Sequence, residues 1–334
     1  MKNAKISRRS FLLGLAACSA AGVLTACKGT DAPSGSTASS AAEPPASSAA
    51  SSTVQQPEPF LTEAEFPPLD GSTACIPLMA QMLADTTGMD LEEARSSITV
   101  STTAYAWENF GLYDTTTRML VVYEAPDYVK EELQKANVEL EQKPIGVDAL
   151  VFIVNEDNPV QALSQQQLRD IYAGKITNWK DVGGKDQEIV AFQRGEDSGS
   201  QTLFQKLLIQ GGPLMEAPTE LAPTEMGGLV DSIADYNNSA NAIGFSVYYY
   251  IDQMYSKPGL RLLAVDGVTP SNDTLADGSY PLCNDFYAVI HPDAAADSPE
   301  RRLYDWLDTD AGQDCIKKSG YVAVGPQTTV TIVD

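Results

Sequence analysis

Val147-Asp148-Ala149-Leu150-Val151-Phe152-Ile153-Val154 is apolar at every position but one. Such a run predicts a strand buried on both faces, as in the parallel sheets of α/β proteins. A helix follows. Ser164 with Gln167 forms a capping box ahead of Leu168-Arg169-Asp170-Ile171-Tyr172-Ala173, and Gly174 stops it. Working outward, residues 187–192 read as a strand and residues 200–210 as a helix closed by Gly211-Gly212-Pro213. Residues 242–250 and 287–290 read as further strands, and residues 301–318 as one long helix ending at Ser319-Gly320. Strand and helix alternate without an internal repeat, which gives an α/β fold class.

Composition narrows the function without naming it. The chain has 334 residues, 43% hydrophobic and 20% charged, with a net charge of −23. An acidic balance argues against nucleic acid, whose phosphates require Lys and Arg, and against docking on anionic lipid. The single histidine, His291, excludes histidine-rich metal sites and leaves any catalytic triad one candidate base. Five cysteines without CxxC spacing argue against a zinc ribbon or a redox dithiol. No metal site and no cofactor is expected.

Residues 1–26 read as an export signal. Lys2, Lys5, Arg8 and Arg9 precede an apolar stretch from Phe11 to Ala26, too rich in Ala and Gly for a convincing membrane span. Ser7-Arg8-Arg9-Ser10-Phe11-Leu12 is similar to a twin-arginine motif. Leu24-Thr25-Ala26-Cys27 resembles a bacterial lipobox, whose cysteine is acylated and becomes the new first residue. Leu15-Ala16-Ala17-Cys18 fits the same loose pattern but leaves a short apolar segment, so Cys27 is preferred. Cleavage there leaves 308 residues and takes the net charge from −23 to −27, because four cations leave and no acid does. Residues 27–59 then form a tether: 20 of the 32 positions after Cys27 are Ser, Ala or Pro, which bury too little apolar surface to fold. Its coil dimension is roughly 30 Å. No later segment is long and apolar enough to span a bilayer.

Three places share one chemical pattern. Gly71-Ser72-Thr73-Ala74, Ser101-Thr102-Thr103 and Ser198-Gly199-Ser200 each put small hydroxyl residues where a helix begins. Backbone N–H groups lack partners there and the helix dipole is positive, so such an end suits an anion. Plain capping is the competing explanation for any one of them, since Ser and Thr are favoured N-caps. Three in one chain, one with Arg194 four residues upstream, point to an oxyanion site, because an Arg fork pairs two oxygens at once.

At these residues the chain resembles the PstS-type phosphate-binding proteins, the extracytoplasmic receptors of phosphate ABC transporters. The resemblance covers most of residues 68–325. It is most specific in the run from Gly146 to Asn155 and in Leu168-Arg169-Asp170-Ile171-Tyr172-Ala173-Gly174-Lys175-Ile176-Thr177-Asn178-Trp179. Arg194-Gly195-Glu196-Asp197-Ser198-Gly199-Ser200 is similar to the family's anion loop, and Asn241-Ala242-Ile243-Gly244-Phe245 to one of its strands. The resemblance implies a two-lobed periplasmic-binding-protein fold (type II-like) with the ligand cleft between lobes. Residues 60–145 plus 279–334 would form lobe I and residues 146–278 lobe II. Inorganic phosphate would meet Arg194, Ser198, Gly199 and Ser200 from lobe II, and Ser72, Thr73, Ala74, Ser101 and Thr102 from lobe I. The family's carboxylate, which accepts a proton from phosphate, would fall near the end of the strand at residues 119–123, where Glu124 is the nearest candidate. The resemblance further implies a non-enzymatic monomer, anchored by lipid on the outer face of the bacterial cytoplasmic membrane, that serves an ABC permease. The alternatives are a receptor for sulfate, molybdate or tungstate, and a sensor or surface lipoprotein that has lost transport.

The other conspicuous residues have plainer readings. Asp197-Ser198-Gly199 is superficially similar to a serine-protease motif, but only His291 could act as base. His291, at a strand end before Pro292, reads as a surface residue. Tyr248-Tyr249-Tyr250 is expected to split between core and cleft edge, as alternation on a strand requires. Cys75, Cys283 and Cys315 remain after lipidation, an odd number that permits one bridge and one free thiol.

Overall fold

The apolar run lies inside a 16-residue strand, Leu140–Asn155, around which the rest of the chain is organised. A computed structural model describes residues 58–113, 116–216, 226–235, 239–325 and 330–332, all within one compact unit. The export signal, Cys18, Cys27 and the tether up to residue 57 lie outside the described residues. The strands are β1 (Leu69–Gly71), β2 (Met119–Val122), β3 (Leu140–Asn155), β4 (Ala162–Leu163), β5 (Val190–Ala191), β6 (Ala242–Val247), β7 (Leu260–Leu262), β8 (Ala264–Val265), β9 (Cys283–Ile290), β10 (Val322–Ala323) and β11 (Val330–Ile332). The helices are α1 (Ile76–Thr87), α2 (Leu91–Ser97), α3 (Thr103–Glu108), α4 (Asp127–Lys135), α5 (Gln165–Tyr172), α6 (Gly199–Leu203), α7 (Met226–Asp235), α8 (Asn272–Ala276), α9 (Pro299–Trp306) and α10 (Asp310–Lys318). None of the described helices is long and apolar enough to cross a membrane.

Strand β3 serves two sheet regions in turn. Its first part, Glu141 to Ala149, pairs with β9, which pairs with β2 and through it with β1. Its second part, from Leu150 on, pairs with β6 and β7, and β5 flanks β6. Among the described residues every partner of β3 is antiparallel, contrary to the parallel sheet that its apolar run suggests, and parallel pairing is confined to β1–β2, β5–β6 and β4–β8. The run is apolar because consecutive residues, and so both faces of the strand, are buried, whatever the strand direction. From Ala149 to Val154 no residue is measurably exposed. The register shifts between Pro144 and Gly146, where proline cannot donate to the ladder.

Three elements differ from expectation for identifiable reasons. Residues 301–318 are not one helix but α9 and α10, broken at residues 307–309. Thr309 caps α10 by accepting from the Gly312 N–H, and a Cβ on Gly312 would lie 2.2 Å from the Trp306 carbonyl oxygen. Strand β6 ends at Val247, so Tyr248 to Tyr250 turn helical, and all three rings are buried. The strand expected at residues 187–192 shortens to Val190–Ala191. The capping box forms as read, with Ser164 and Gln167 each bonding the other's backbone.

Aromatic packing fixes the helix that follows Ser198. Past α6 the chain continues as a π-helical segment, Phe204–Ile209, and Phe204 stacks on Phe245 of β6 at 4.2 Å between ring centroids. Phe152 of β3 and Tyr172 of α5 complete the cluster. Such contacts contribute about 0.5–1.5 kcal/mol each beyond area burial.

Candidate functional site

Gly71 brings β1 against β2 so closely that a Cβ there would sit 1.8 Å from the Val121 carbonyl oxygen. No other residue fits, and the chain emerges with Ser72 buried against β2. The Tyr123 N–H, just beyond β2, donates to Ser72 Oγ at 3.0 Å. Next to it, Asp70 holds the second loop: its carboxylate accepts from Ser101 N at 2.7 Å and from Ser101 Oγ at 2.6 Å. Helix α3 is pinned from its other end, where Trp107 Nε1 donates to the Tyr123 carbonyl at 2.9 Å. Between these clamps Thr102 takes φ +105°, a region that costs a non-glycine residue of order 1–3 kcal/mol and persists only where surroundings impose it.

These loops and the one from Arg194 to Ser200 enclose a cleft of about 660 Å³. Ser72, Thr73, Ala74, Thr102 and Thr103 line it from one side, with Arg194, Ser198, Gly199 and Ser200 on the other. The two sides touch: a Cβ on Gly199 would fall 2.4 Å from Thr103 Oγ1. Arg194 is buried, its N–H donating to Gln201 Oε1 at 3.0 Å, and it is the only cation on this wall among the described residues.

The hydroxyls that line the cleft are not used as caps. Ser72, Thr102 and Ser198 occupy N-cap positions, yet none accepts a capping hydrogen bond through its side chain. Asp90, Ser164, Asn178, Ser271, Ser298 and Thr309 all do. Ser72 Oγ instead bonds Thr103 Oγ1, and Ser198 Oγ bonds Ser200 Oγ at 3.0 Å. Plain capping therefore fails to explain all three starts, and the cleft presents convergent neutral donors with one guanidinium.

Two expected residues lie elsewhere. Ser101 does not line the cleft, because its hydroxyl and amide are spent on Asp70. Glu124 is also off the wall, held by Lys130 Nζ at 2.5 Å and by Lys206 Nζ. Burial pushes its carboxyl up, but the two ammonium groups outweigh that and hold it below the ordinary glutamate range.

Other wall residues escaped sequence reading. Thr103 stood in the hydroxyl run and lines the cleft beside Thr102, while Ser101 is turned to Asp70. Tyr105, Tyr123, Asp197, Gly227, Gly228, Asp231, Tyr250 and Tyr255 also line it; Asp197 stands inside the anion-loop motif and Tyr250 is the cleft-edge member of the tyrosine run, whereas the local sequences of the others carry no signal that could have found them. Behind the wall, Asp148 is buried and accepts from the Tyr123 hydroxyl at 2.5 Å, from Ala149 N at 2.7 Å and from Tyr249 N at 3.0 Å. Burial pushes its carboxyl up to about 6, against those hydrogen bonds. His291 packs on the Phe110 ring at 4.4 Å, away from Ser198 and the cleft. Cys75, Cys283 and Cys315 are all unpaired, so the bridge that three thiols permit is not formed.

Comparison with known proteins bears on this arrangement. The phosphate-binding protein PstS of Bacillus subtilis (strain 168) is 30% identical over 181 residues, covering 54% of this chain and 56% of that one. The chain thus matches little more than half the length of that relative. The phosphate-binding protein PstS of Borreliella burgdorferi is 25% identical over 202 residues, 59% of this chain and 70% of that one. Among solved structures, a putative phosphate ABC transporter substrate-binding protein with bound phosphate from Clostridium perfringens superposes with a TM-score of 0.58 at 25% identity, covering 77% of this chain and 99% of that one. An ABC-type phosphate transport receptor from Vibrio cholerae gives a TM-score of 0.56 at 22% identity over the same shares, which speaks to the fold alone. The family model described as PBP superfamily domain matches residues 113–309, more than half of the chain; with β3 shared between two sheet regions and a cleft beside it, this chain belongs to the PBP superfamily.

Proposed function

We propose that this protein is an extracytoplasmic receptor that captures inorganic phosphate in the cleft and delivers it to an ABC permease. The observation that carries the reading is the convergence of three uncapped hydroxyl helix starts with buried Arg194 on one cleft. Neutral donors and one guanidinium suit an oxyanion, and exclusion of water strengthens each contact. The acidic surface does not oppose this, because exposed charges are screened over about 10 Å in salt. The relatives named above are called phosphate-binding proteins, which favours phosphate over sulfate, molybdate or tungstate. A binding role without catalysis fits the position of His291, which leaves Ser198 without a base. The division of β3 supports two lobes, residues 60–145 plus 279–334 and residues 146–278, closing on the ligand. Lipid anchoring through Cys27 and a monomeric state complete the proposal; Cys27→Ser should release the protein from membranes, because stable anchoring needs two acyl chains.

Titration calorimetry with inorganic phosphate tests the core of it. Arg194→Ala should weaken binding about ten- to a hundred-fold, since a charge-assisted contact contributes about 1.5–3 kcal/mol. Lysine should restore it in part, as it lacks the planar fork. Unchanged affinity in Arg194→Ala overturns the site.

A further inference from the structure

The cleft is several times larger than a bare oxyanion needs. One central atom with four oxygens fills about 150 Å³ even at a water's share of liquid volume per atom, whereas the cleft measures about 660 Å³. That is the size of pockets that enclose whole small organic molecules. Parted walls do not account for the surplus. Gly199 already abuts Thr103, and the Tyr105 hydroxyl reaches Asp197 at 3.5 Å across the cleft.

The remaining wall has a chemistry of its own. The Tyr250 and Tyr255 rings stack at 5.7 Å with 12° between their planes. Tyr255 Oη donates to the two oxygens of Asp231 at 3.0 and 3.2 Å, and Lys257 Nζ donates to Asp231 Oδ1 at 2.9 Å. A side chain at Gly227 would begin 3.4 Å from Tyr250 Oη and 3.8 Å from the Tyr255 ring, so glycine keeps this part of the cleft open. Ring faces accept C–H surface, and a carboxylate accepts hydroxyl protons. Because Lys257 compensates the charge of Asp231, this wall suits a neutral, hydroxyl-bearing skeleton better than a cation.

We propose that the cleft binds phosphate monoesters of a small polyol or sugar, with the phosphoryl group at Ser72, Thr103, Arg194 and Ser200 and the carbon skeleton against Tyr250, Tyr255 and Asp231. This rests on the phosphoryl reading above and extends it from the bare anion to its esters.

Calorimetry with inorganic phosphate, glycerol 3-phosphate and glucose 6-phosphate tests it. Wild-type protein should bind at least one ester about tenfold more tightly than inorganic phosphate. Gly227→Leu, which fills the skeleton's space, and Tyr255→Ala, which removes a ring, should each erase that advantage while phosphate affinity stays within about twofold. Circular dichroism on both variants separates misfolding from lost contacts, and Asp231→Asn gives an isosteric third reading. Esters that bind no better than phosphate, or variants that weaken both ligands alike, overturn the inference and leave the phosphate reading standing. Failure of every one of these ligands to bind the wild type overturns that reading as well.

Discussion

Ser72 Oγ and Thr103 Oγ1 lie 2.8 Å apart, joining two loops separated by 31 residues in sequence. The same Ser72 oxygen accepts the Tyr123 N–H at 3.0 Å, and both residues are buried. Ser72→Ala therefore does two things. It removes a donor from the cleft and leaves a buried amide without its acceptor, which costs about 1–3 kcal/mol. Urea denaturation should show a lower midpoint at unchanged m-value, and phosphate titration should show weaker binding. An unchanged midpoint would mean that the amide finds another partner.

Asp148 predicts an unusual pH response. Its carboxyl is raised from 3.8 to about 6, with burial as the largest cause. Between about pH 4 and 6 the folded state thus holds a proton that the unfolded chain has released. The stability tied to this group is fully present below about pH 4 and is lost as pH rises through about 6. Two pH units correspond to roughly 2–3 kcal/mol. Asp148→Asn, which keeps the shape without the charge, should flatten that part of the stability profile. Parallel profiles for the two proteins between pH 4 and 7 would refute the assignment.

Lys143 has no exposed surface, and its ammonium donates to the Tyr304 carbonyl at 2.7 Å and to Asp308 Oδ2 at 2.5 Å. Burial lowers its pKa, and Asp308 opposes that. Removing one partner of a buried pair is more damaging than replacing both with apolar groups. Because Asp308 keeps a third of its side-chain exposure, Asp308→Ala should cost about 1–3 kcal/mol, below the usual range for fully buried pairs. Lys143→Met in the Asp308→Ala background should recover part of the loss. Thermal melts of the three proteins decide it, and a double variant no better than the single one refutes the argument.

The same pair shows where sequence reading stops. Asp308 lies in the break between α9 and α10, and its partner is 165 residues away in the chain, so periodicity alone ran the two helices together. Features fixed within a few residues were legible: the β3 run, the Ser164–Gln167 box, and the three hydroxyl starts with Arg194. The fate of each hydroxyl was not. Ser101 turns to Asp70 while Thr103 faces the cleft, and a +105° φ at Thr102 decides which does which. Tyr255 and Asp231 reach the wall only through the fold of separate segments. Asp148 was in plain view as the one polar residue of the apolar run, and only its burial gives it meaning.

Glu124 is not placed to tell phosphate from sulfate in the proposed anion cleft. The two anions are alike in size and charge near neutral pH, but hydrogen phosphate can donate a hydrogen bond and sulfate cannot. A carboxylate inside a dry cleft would exploit that, since sulfate oxygens would face an unpaired acceptor of like charge. Glu124 stands near the end of β2, yet its two oxygens are bound by Lys130 and Lys206, and it does not reach the wall. The carboxylates that do reach it are Asp197, which is exposed, and Asp231, which is paired with Lys257. Glu124→Gln should therefore leave the phosphate-to-sulfate affinity ratio within about twofold of wild type, a change of less than half a kcal/mol. Both anions should weaken together if the contact with Lys206 helps to hold the cleft closed. Competition calorimetry of both anions against both proteins measures the ratio directly. A tenfold gain by sulfate alone would put the Glu124 carboxylate on the ligand, with the lysines displaced when the anion binds.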